Sequence, residues 1–138
     1  MANPSRLSIL VSAVFLSTTS LVFASPAIGL TGDKTLVWFD TDNPSEVKKI
    51  EVTGIDKLVG VDVRPADKML YGVATDGTLV TINLDSGAAS AGAKLSAMLP
   101  EGIQASVDFN PMADRLRIMG SDGTNLRAHP DTGEVTTD

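Results

Sequence analysis

Apolar and polar residues alternate over short segments in most of the chain, and turn-forming residues separate these segments. In Val59–Arg64 every second residue is valine, and a period of two places alternate side chains on one face of a β-strand. Pro65 has no N–H to donate, so we predict that this strand ends there. Met69–Ala74 and Thr78–Leu84 are predicted as the next two strands, and the Asp-Gly pair between them is typical of a β-hairpin. A weaker fourth strand is expected near Ala93–Leu95.

The same order of strands and turns occurs a second time, displaced by 46 residues from Val61 to Val107. Leu58–Gly87 aligns with Gln104–Gly133 without a gap, and both copies carry an X-Pro turn, an Asp-Gly turn and an Asp-x-Gly turn in register. A period of about 40–50 residues with several short strands is typical of propeller blades. We therefore predict an all-β fold, a partial β-propeller-like array of four-stranded antiparallel units.

Three units are expected in the domain at 25–138: a partial unit at about 35–53, a complete one at 58–95 and a nearly complete, truncated one at 104–138. Thr35–Asp40 aligns with the third strand of the repeat and Val47–Val52 supplies a fourth, so the first unit is expected to start halfway through. Closed propellers usually have about 4–8 blades. The chain is therefore interpreted as a fragment of a longer propeller, a protomer that forms a ring, or a smaller open β structure, and we favour the first.

The first 24 residues have the pattern of a secretory signal peptide. Arg6 precedes the apolar run Leu7–Phe23, and small residues then allow cleavage after Ala24 or Ala27. Several Ser and Thr residues inside the run make it a weak candidate for a permanent membrane span. We predict an exported protein, periplasmic or extracellular, with no membrane segment after cleavage.

Composition narrows the function classes. Hydrophobic residues make up 43% of the chain and charged residues 20%, which is typical of a globular protein. The net charge is −6 and no basic stripe is visible, so nucleic acid is not an expected partner. The chain has no cysteine, which excludes disulfides and thiolate metal sites.

Several motifs resemble an uncharacterised bacterial family of exported proteins that have a domain of unknown function and propeller-like repeats. The succession VDFNP, ADRLR and NLR is fairly specific to that family, whereas the Asp-Gly turns are general to propellers. The resemblance implies a fold and a location but no activity, and it implies family members about twice as long as this chain. The motifs are LVGVDVRP at Leu58–Pro65, LYGV at Leu70–Val73, VDFNPMADRLRI at Val107–Ile118, DGTNLR at Asp122–Arg127 and DTG at Asp131–Gly133.

Four polar residues on the first strands of the two units are the candidate ligand-binding residues: Asp62, Arg64, Asp108 and Asn110. The first strand of a propeller blade lines the central channel, so the two carboxylates could contribute to an acidic ring that binds Ca²⁺. The alternative is that each aspartate accepts backbone N–H groups in the turn that follows it. No cofactor is predicted, and Ca²⁺ stays open as an alternative.

No group of residues has the spacing of a catalytic or metal site. His129 is the single histidine, and no serine lies near it in a recognisable triad motif. Arg115, Arg117 and Arg127 alternate with apolar residues and are interpreted as a solvated face, with an anion-binding patch as the alternative. The aspartates of the Asp-Gly and Asp-x-Gly turns are interpreted as turn formers.

The predicted function is a non-catalytic, exported, propeller-like domain that binds a small molecule or a protein. One alternative is a fragment of a metal-dependent propeller hydrolase or lyase, whose remaining ligands would come from other blades. Another is a structural or surface-assembly protein, because an unclosed propeller leaves sheet faces and strand edges bare. The partners are accordingly expected to be other copies of the chain or the missing blades.

Overall fold

Eleven β-strands form three antiparallel sheets in residues 26–138, which are the residues that the computed structural model describes. The predicted signal peptide at 1–24 lies outside the described residues. No helix occurs in the described residues, so the predicted all-β class is confirmed. Residues 26–138 accordingly contain no helical segment long and apolar enough to cross a membrane.

The three sheets follow one another along the chain, and each contains consecutive strands. The first sheet has three strands, and the second and third have the predicted four antiparallel strands. The first sheet consists of β1 (Pro26–Thr31), β2 (Thr35–Asp40) and β3 (Asn43–Glu51). The second consists of β4 (Leu58–Val63), β5 (Leu70–Ala74), β6 (Thr78–Ile82) and β7 (Ala89–Lys94). The third consists of β8 (Ala105–Asn110), β9 (Arg115–Gly120), β10 (Asn125–Ala128) and β11 (Val135–Thr137).

Strand β1 differs from the prediction, which placed the first strand of this sheet at Thr35. Proline and glycine within Pro26–Thr31 lower its intrinsic preference for a strand. The strand forms because it pairs with β2, where Leu30 lies opposite Leu36. Leu36 is fully buried, so the pairing extends an apolar surface that β2 alone would leave open.

Apolar side chains between consecutive sheets form two separate clusters. We call the contact between the first and second sheets the first joint, and the contact between the second and third sheets the second joint. Each joint buries aliphatic side chains from both of its sheets, which is the main source of stability in a stack of sheets. The buried residues of the first joint are Leu36, Ile50, Val52, Leu58, Leu70, Val80 and Ile82. Those of the second joint are Val73, Leu79, Leu95, Phe109, Leu116, Ile118, Leu126 and Ala128.

The same backbone contact holds the chain at both joints. The N–H of Thr53, just after the first sheet, donates to the carbonyl of Gly87 at 2.9 Å, and the N–H of Ser96 donates to the carbonyl of Gly133 at 2.8 Å. Both glycines end Asp-x-Gly turns and have positive φ, 74° and 75°. A Cβ atom on either glycine would overlap a backbone carbonyl of the preceding sheet. Glycine is therefore required at both positions because another chain segment passes too close for a side chain.

Candidate functional site

Asp62 lies in the second joint, where β4 and β8 run side by side. A Cβ atom on Gly60 would come within 2.5 Å of Val107 Cγ2, which shows how closely the two strands approach. The half-buried Asp62 carboxylate accepts a hydrogen bond from the main-chain N–H of Phe109 at 2.7 Å. The expectation that this carboxylate caps the turn after its own strand finds no support in that contact, because the partner belongs to the next sheet.

Among the residues that the structure describes, Arg64 is the one charged residue that is buried, with 8% of its surface exposed. Its Nε and Nη2 donate to the two carboxylate oxygens of Asp114 at 2.9 and 2.5 Å, and its Nη1 donates to Asp131 Oδ1 at 2.8 Å. Nη1 also lies 3.2 Å from the Tyr71 hydroxyl and 3.4 Å from Asp67 Oδ2. The planar guanidinium thus joins the second sheet to two turns of the third, a fork geometry that lysine cannot reproduce.

Charge pairing sets the protonation states of this cluster. The hydrogen bonds from Arg64 to Asp114 and Asp131 raise the pKa of the guanidinium, although burial opposes the shift. The same hydrogen bonds hold the pKa values of Asp114 and Asp131 below the ordinary range of aspartate. Burial raises the pKa of Tyr71. Arg64, Asp114 and Asp131 therefore stay charged at neutral pH and are engaged with one another, an arrangement suited to holding two sheets together.

Asp108 and Asn110 occupy the positions of Asp62 and Arg64 in the next unit, but their surroundings differ. Asp108 is exposed on β8 and lies opposite Arg117 of β9. Asn110 is also exposed, and its Oδ1 accepts the N–H groups of Met112 and Ala113 at 2.9 and 3.2 Å, so it caps the turn after β8. The four predicted site residues therefore form two pairs, one inside the second joint and one on the free side of the third sheet.

We call that free side of the third sheet, which points away from the second joint, the outer face. Side chains alternate along strands, so the residues between the buried ones share this face. It carries Asp108, Asn110, Arg115, Arg117, Asn125 and Arg127. A groove of about 370 Å³ crosses one end of it, and Arg115, Arg127, His129 and Glu134 line this groove. The outer face thus gathers basic side chains in a chain whose net charge is −6.

The repeat shows that the outer face is not built like a joint. Tyr71 and Leu79 of the second sheet pack into the second joint, and Leu79 is almost completely buried there. The equivalent residues of the third sheet, 46 positions later, are Arg117 and Asn125. Apolar side chains at these positions seal one sheet against the next, whereas Arg117 and Asn125 are half-buried and lie on the side that points away from the second joint.

Arg117 and Arg127 lie opposite each other on β9 and β10, and both bind the carboxylate of Asp138. The Arg117 Nη2 to Asp138 Oδ2 distance is 2.9 Å, and Arg127 Nη2 contacts the other oxygen, Oδ1. Among the described residues, one buried side-chain oxygen has no hydrogen-bond partner, and it is Oδ1 of the neighbouring Asn125. The sequence pattern identifies the arginines but not Asp138, because the partners are 21 and 11 residues apart and no short motif encodes their pairing.

Asp114 and Asp131 were not among the predicted site residues, although they contact Arg64 directly. Asp131 is predicted to be a turn former, but its carboxylate binds Arg64, and the side chain that accepts a turn N–H is His129, whose Nδ1 lies 3.2 Å from the backbone nitrogen of Asp131. The signal that could have drawn attention to Asp114 is weak, since the equivalent residue of the second unit is Lys68. Both residues have positive φ, 48° and 64°, so the turn geometry repeats while the side chain changes.

The aspartates of the two Asp-Gly turns behave as predicted. The carboxylates of Asp76 and Asp122 accept the backbone N–H groups of Thr78 and Thr124 at 2.9 and 3.0 Å, and these bonds lower the pKa values of both aspartates. In the Asp-x-Gly turn of the second sheet, Asn83 Oδ1 instead accepts the N–H groups of Asp85 and Ser86. Within residues 26–138, no three His, Asp or Glu side chains come together in an arrangement that could hold a metal ion.

Comparison with known families gives one match. The family model described as Domain of unknown function (DUF4394) matches residues 35–138. No curated protein and no solved structure matches the chain significantly.

Proposed function

The chain belongs to the DUF4394 family, whose defining domain has no assigned function. From the chemistry of its surfaces we propose that it is a non-catalytic binding domain of an exported protein. The domain is proposed to be part of a β-propeller, and the ligand is proposed to bind on the outer face of the third sheet. Export rests on the signal-peptide pattern of the first 24 residues.

Three features support the propeller part of this proposal. The second and third sheets each have four antiparallel strands in chain order, as a propeller blade does. The contact from Thr53 to Gly87 recurs from Ser96 to Gly133, so successive sheets are joined in one repeated way. The first strands of these sheets, β4 and β8, lie side by side, as strands around a central channel do. None of the sheets closes on itself within residues 26–138.

The single observation that carries the binding proposal is the change in chemistry between equivalent faces. Where the second sheet uses Tyr71 and Leu79 to seal a joint, the third sheet presents Arg117 and Asn125. Of the four predicted site residues, Asp108 and Asn110 lie on this accessible face, and Asp62 and Arg64 are engaged within the joint. Convergent polar groups beside a groove are the usual features of a small-ligand site.

The test is to map ligand binding on the protein recovered after export. We would record amide chemical shifts while adding sugars, amino acids, organic acids and Ca²⁺ one at a time. We expect the changes in amide chemical shift to concentrate on the outer face, around Asp108, Arg115 and Arg127. We also expect the ligand to be chemically unchanged after prolonged incubation. Shifts confined to the first sheet, or conversion of a ligand into product, would overturn it. Mass spectrometry of the same sample tests export, with cleavage expected after Ala24 or Ala27.

A second candidate function is self-association through the free side of the first sheet. Val37 and Phe39 are the counterparts of Val80 and Ile82, which are buried in the first joint. Val47 lies opposite Phe39 and is exposed. This surface is therefore built like a joint, and a second copy of the first sheet is proposed to cover it. Light scattering on a sizing column should show a dimer that becomes a monomer in Phe39→Lys, whereas a monomeric wild type would exclude the dimer.

A further inference from the structure

We infer that Arg117 and Arg127 form a binding site for a carboxylate, that Asp138 occupies this site in the present structure, and that the ligand is a hydroxy acid. The inference rests on the proposed function and names the ligand class of the outer face. Four residues carry it: the two arginines, Asp138 and Asn125.

The two arginines lie in positions that call for an anion. Arg117 and Arg127 are directly opposite each other in the β9–β10 register, so their side chains share the outer face. Like charges directly opposite each other across a sheet repel. The carboxylate of Asp138 relieves this repulsion by giving one oxygen to each guanidinium. The structure thus shows the site holding a carboxylate, which happens to be one of the protein's own.

An external carboxylate can compete with Asp138 because this internal contact lies at the surface. The side chains of Arg117, Arg127 and Asp138 are 39%, 47% and 25% exposed. Exposed ion pairs of this kind contribute little stability. Asp138 follows β11, which lies at the edge of its sheet and pairs with β10 on one side, so local opening there breaks the contacts of one strand pair.

Asn125 indicates which second group the ligand should carry. It precedes Arg127 by two residues on the same face of β10, so the two positions are about 7 Å apart along the strand. The backbone carbonyl of Asn125 accepts the N–H of Asp138 at 3.0 Å, which places Asn125 next to the bound carboxylate. Its side-chain Oδ1 is buried without a donor, an arrangement that costs stability. We infer that the hydroxyl of a ligand that displaces Asp138 supplies this missing donor. A carboxylate with a nearby hydroxyl is a hydroxy acid.

The fold does not require these three polar residues. At the equivalent positions the second sheet has Tyr71 for Arg117, Leu79 for Asn125 and Thr81 for Arg127, and it forms the same four-stranded antiparallel sheet. The polar set therefore distinguishes the third sheet chemically while the backbone architecture is unchanged, as expected for a site added to a repeated scaffold.

The experiment compares malate with succinate, which differ by one hydroxyl, by calorimetric titration of the exported protein at fixed ionic strength. Asp138→Asn removes the internal competitor and should tighten the binding of both acids by about fivefold, the range expected for an exposed ion pair. Arg127→Thr, which installs the residue of the second sheet, should weaken binding at least about tenfold. Asn125→Leu should remove the preference for malate over succinate.

One control variant keeps the outcomes distinct. Asp85→Asn removes the same charge from an exposed position in the second sheet, and equal tightening in this variant would mean general charge attraction and would overturn the inference. The inference would also be overturned if neither acid bound to the wild type or to Asp138→Asn. If neutral ligands still changed the amide chemical shifts of the outer face, the proposed function would stand without the hydroxy acid. If the chemical shifts changed elsewhere, both the proposed function and the inference would be excluded.

Discussion

The carboxylate of Asp62 accepts a hydrogen bond of 2.7 Å from the main-chain N–H of Phe109, which belongs to the first strand of the next sheet. This bond gives a partner to a backbone donor at the edge of the third sheet, where the sheet itself offers none. It also fixes β4 and β8 in register, because a displacement of one residue would move the donor to the opposite side of β8.

Asp62→Ala should lower the free energy of unfolding by about 1–3 kcal/mol, since it leaves a half-buried N–H without an acceptor. Asp62→Asn should cost less, because the amide oxygen can still accept. The matched control is Asp108→Ala, which removes the exposed equivalent carboxylate and should change stability by less than about 0.5 kcal/mol. Urea unfolding measures all three, and equal effects of the two alanine variants would contradict the assignment.

Arg64→Met keeps much of the side-chain length but removes the charge that holds Asp114 and Asp131. We expect a loss of about 2–3 kcal/mol, because several charge-assisted hydrogen bonds disappear and three carboxylates face one another. Arg64→Lys should recover only part of the loss, since an ammonium cannot serve both aspartates in the same geometry. Lys49→Met, a change at an exposed position, is the control, and thermal unfolding of the three variants distinguishes them.

The stability of the second joint should fall in acid. Pairing with Arg64 lowers the pKa values of Asp114 and Asp131 in the folded protein, so these pairs stabilise the fold fully above the unfolded-state pKa of about 4. Their contribution is lost as the pH drops through the lower, folded-state values. The stability difference between wild type and Arg64→Met should therefore narrow as the pH falls from about 5 to about 2.5. A difference that stayed constant over this range would show that the carboxylates do not act through Arg64.

Gly87→Ala and Gly133→Ala should each destabilise the protein by about 3 kcal/mol, because the new methyl group adds a clash with a backbone carbonyl to the strain of a positive φ. Gly123→Ala is the matched control. Its φ is 90°, but nothing lies within 4 Å of the position of a Cβ atom, so only the conformational cost of about 1 kcal/mol is expected. Denaturant unfolding of the three variants checks the order, and equal losses would mean that the close approach at the joints is unimportant.

Local features of the fold could be predicted because neighbouring residues decide them. The Asp-Gly pair at 76–77 specifies its turn through a glycine with φ of 84° and a carboxylate that accepts the N–H of Thr78. Alternating valines predicted β4 to within one residue at each end. The gap-free repeat likewise predicted two sheets of four antiparallel strands. The sequence by itself thus determined most of the strands and turns and the order of the units, whereas β1 depends on its pairing with β2.

Only the tertiary structure decided what the polar residues do. Asp62 and Asp108 are equivalent in sequence, yet one carboxylate bonds to the next sheet and the other is exposed on the outer face. Arg64 meets Asp131 across 67 residues of chain, and Asp62 meets Phe109 across 47. A local pattern specifies backbone conformation because adjacent atoms limit φ and ψ. It does not specify which face of a sheet a neighbour will cover, since that depends on how whole sheets stack.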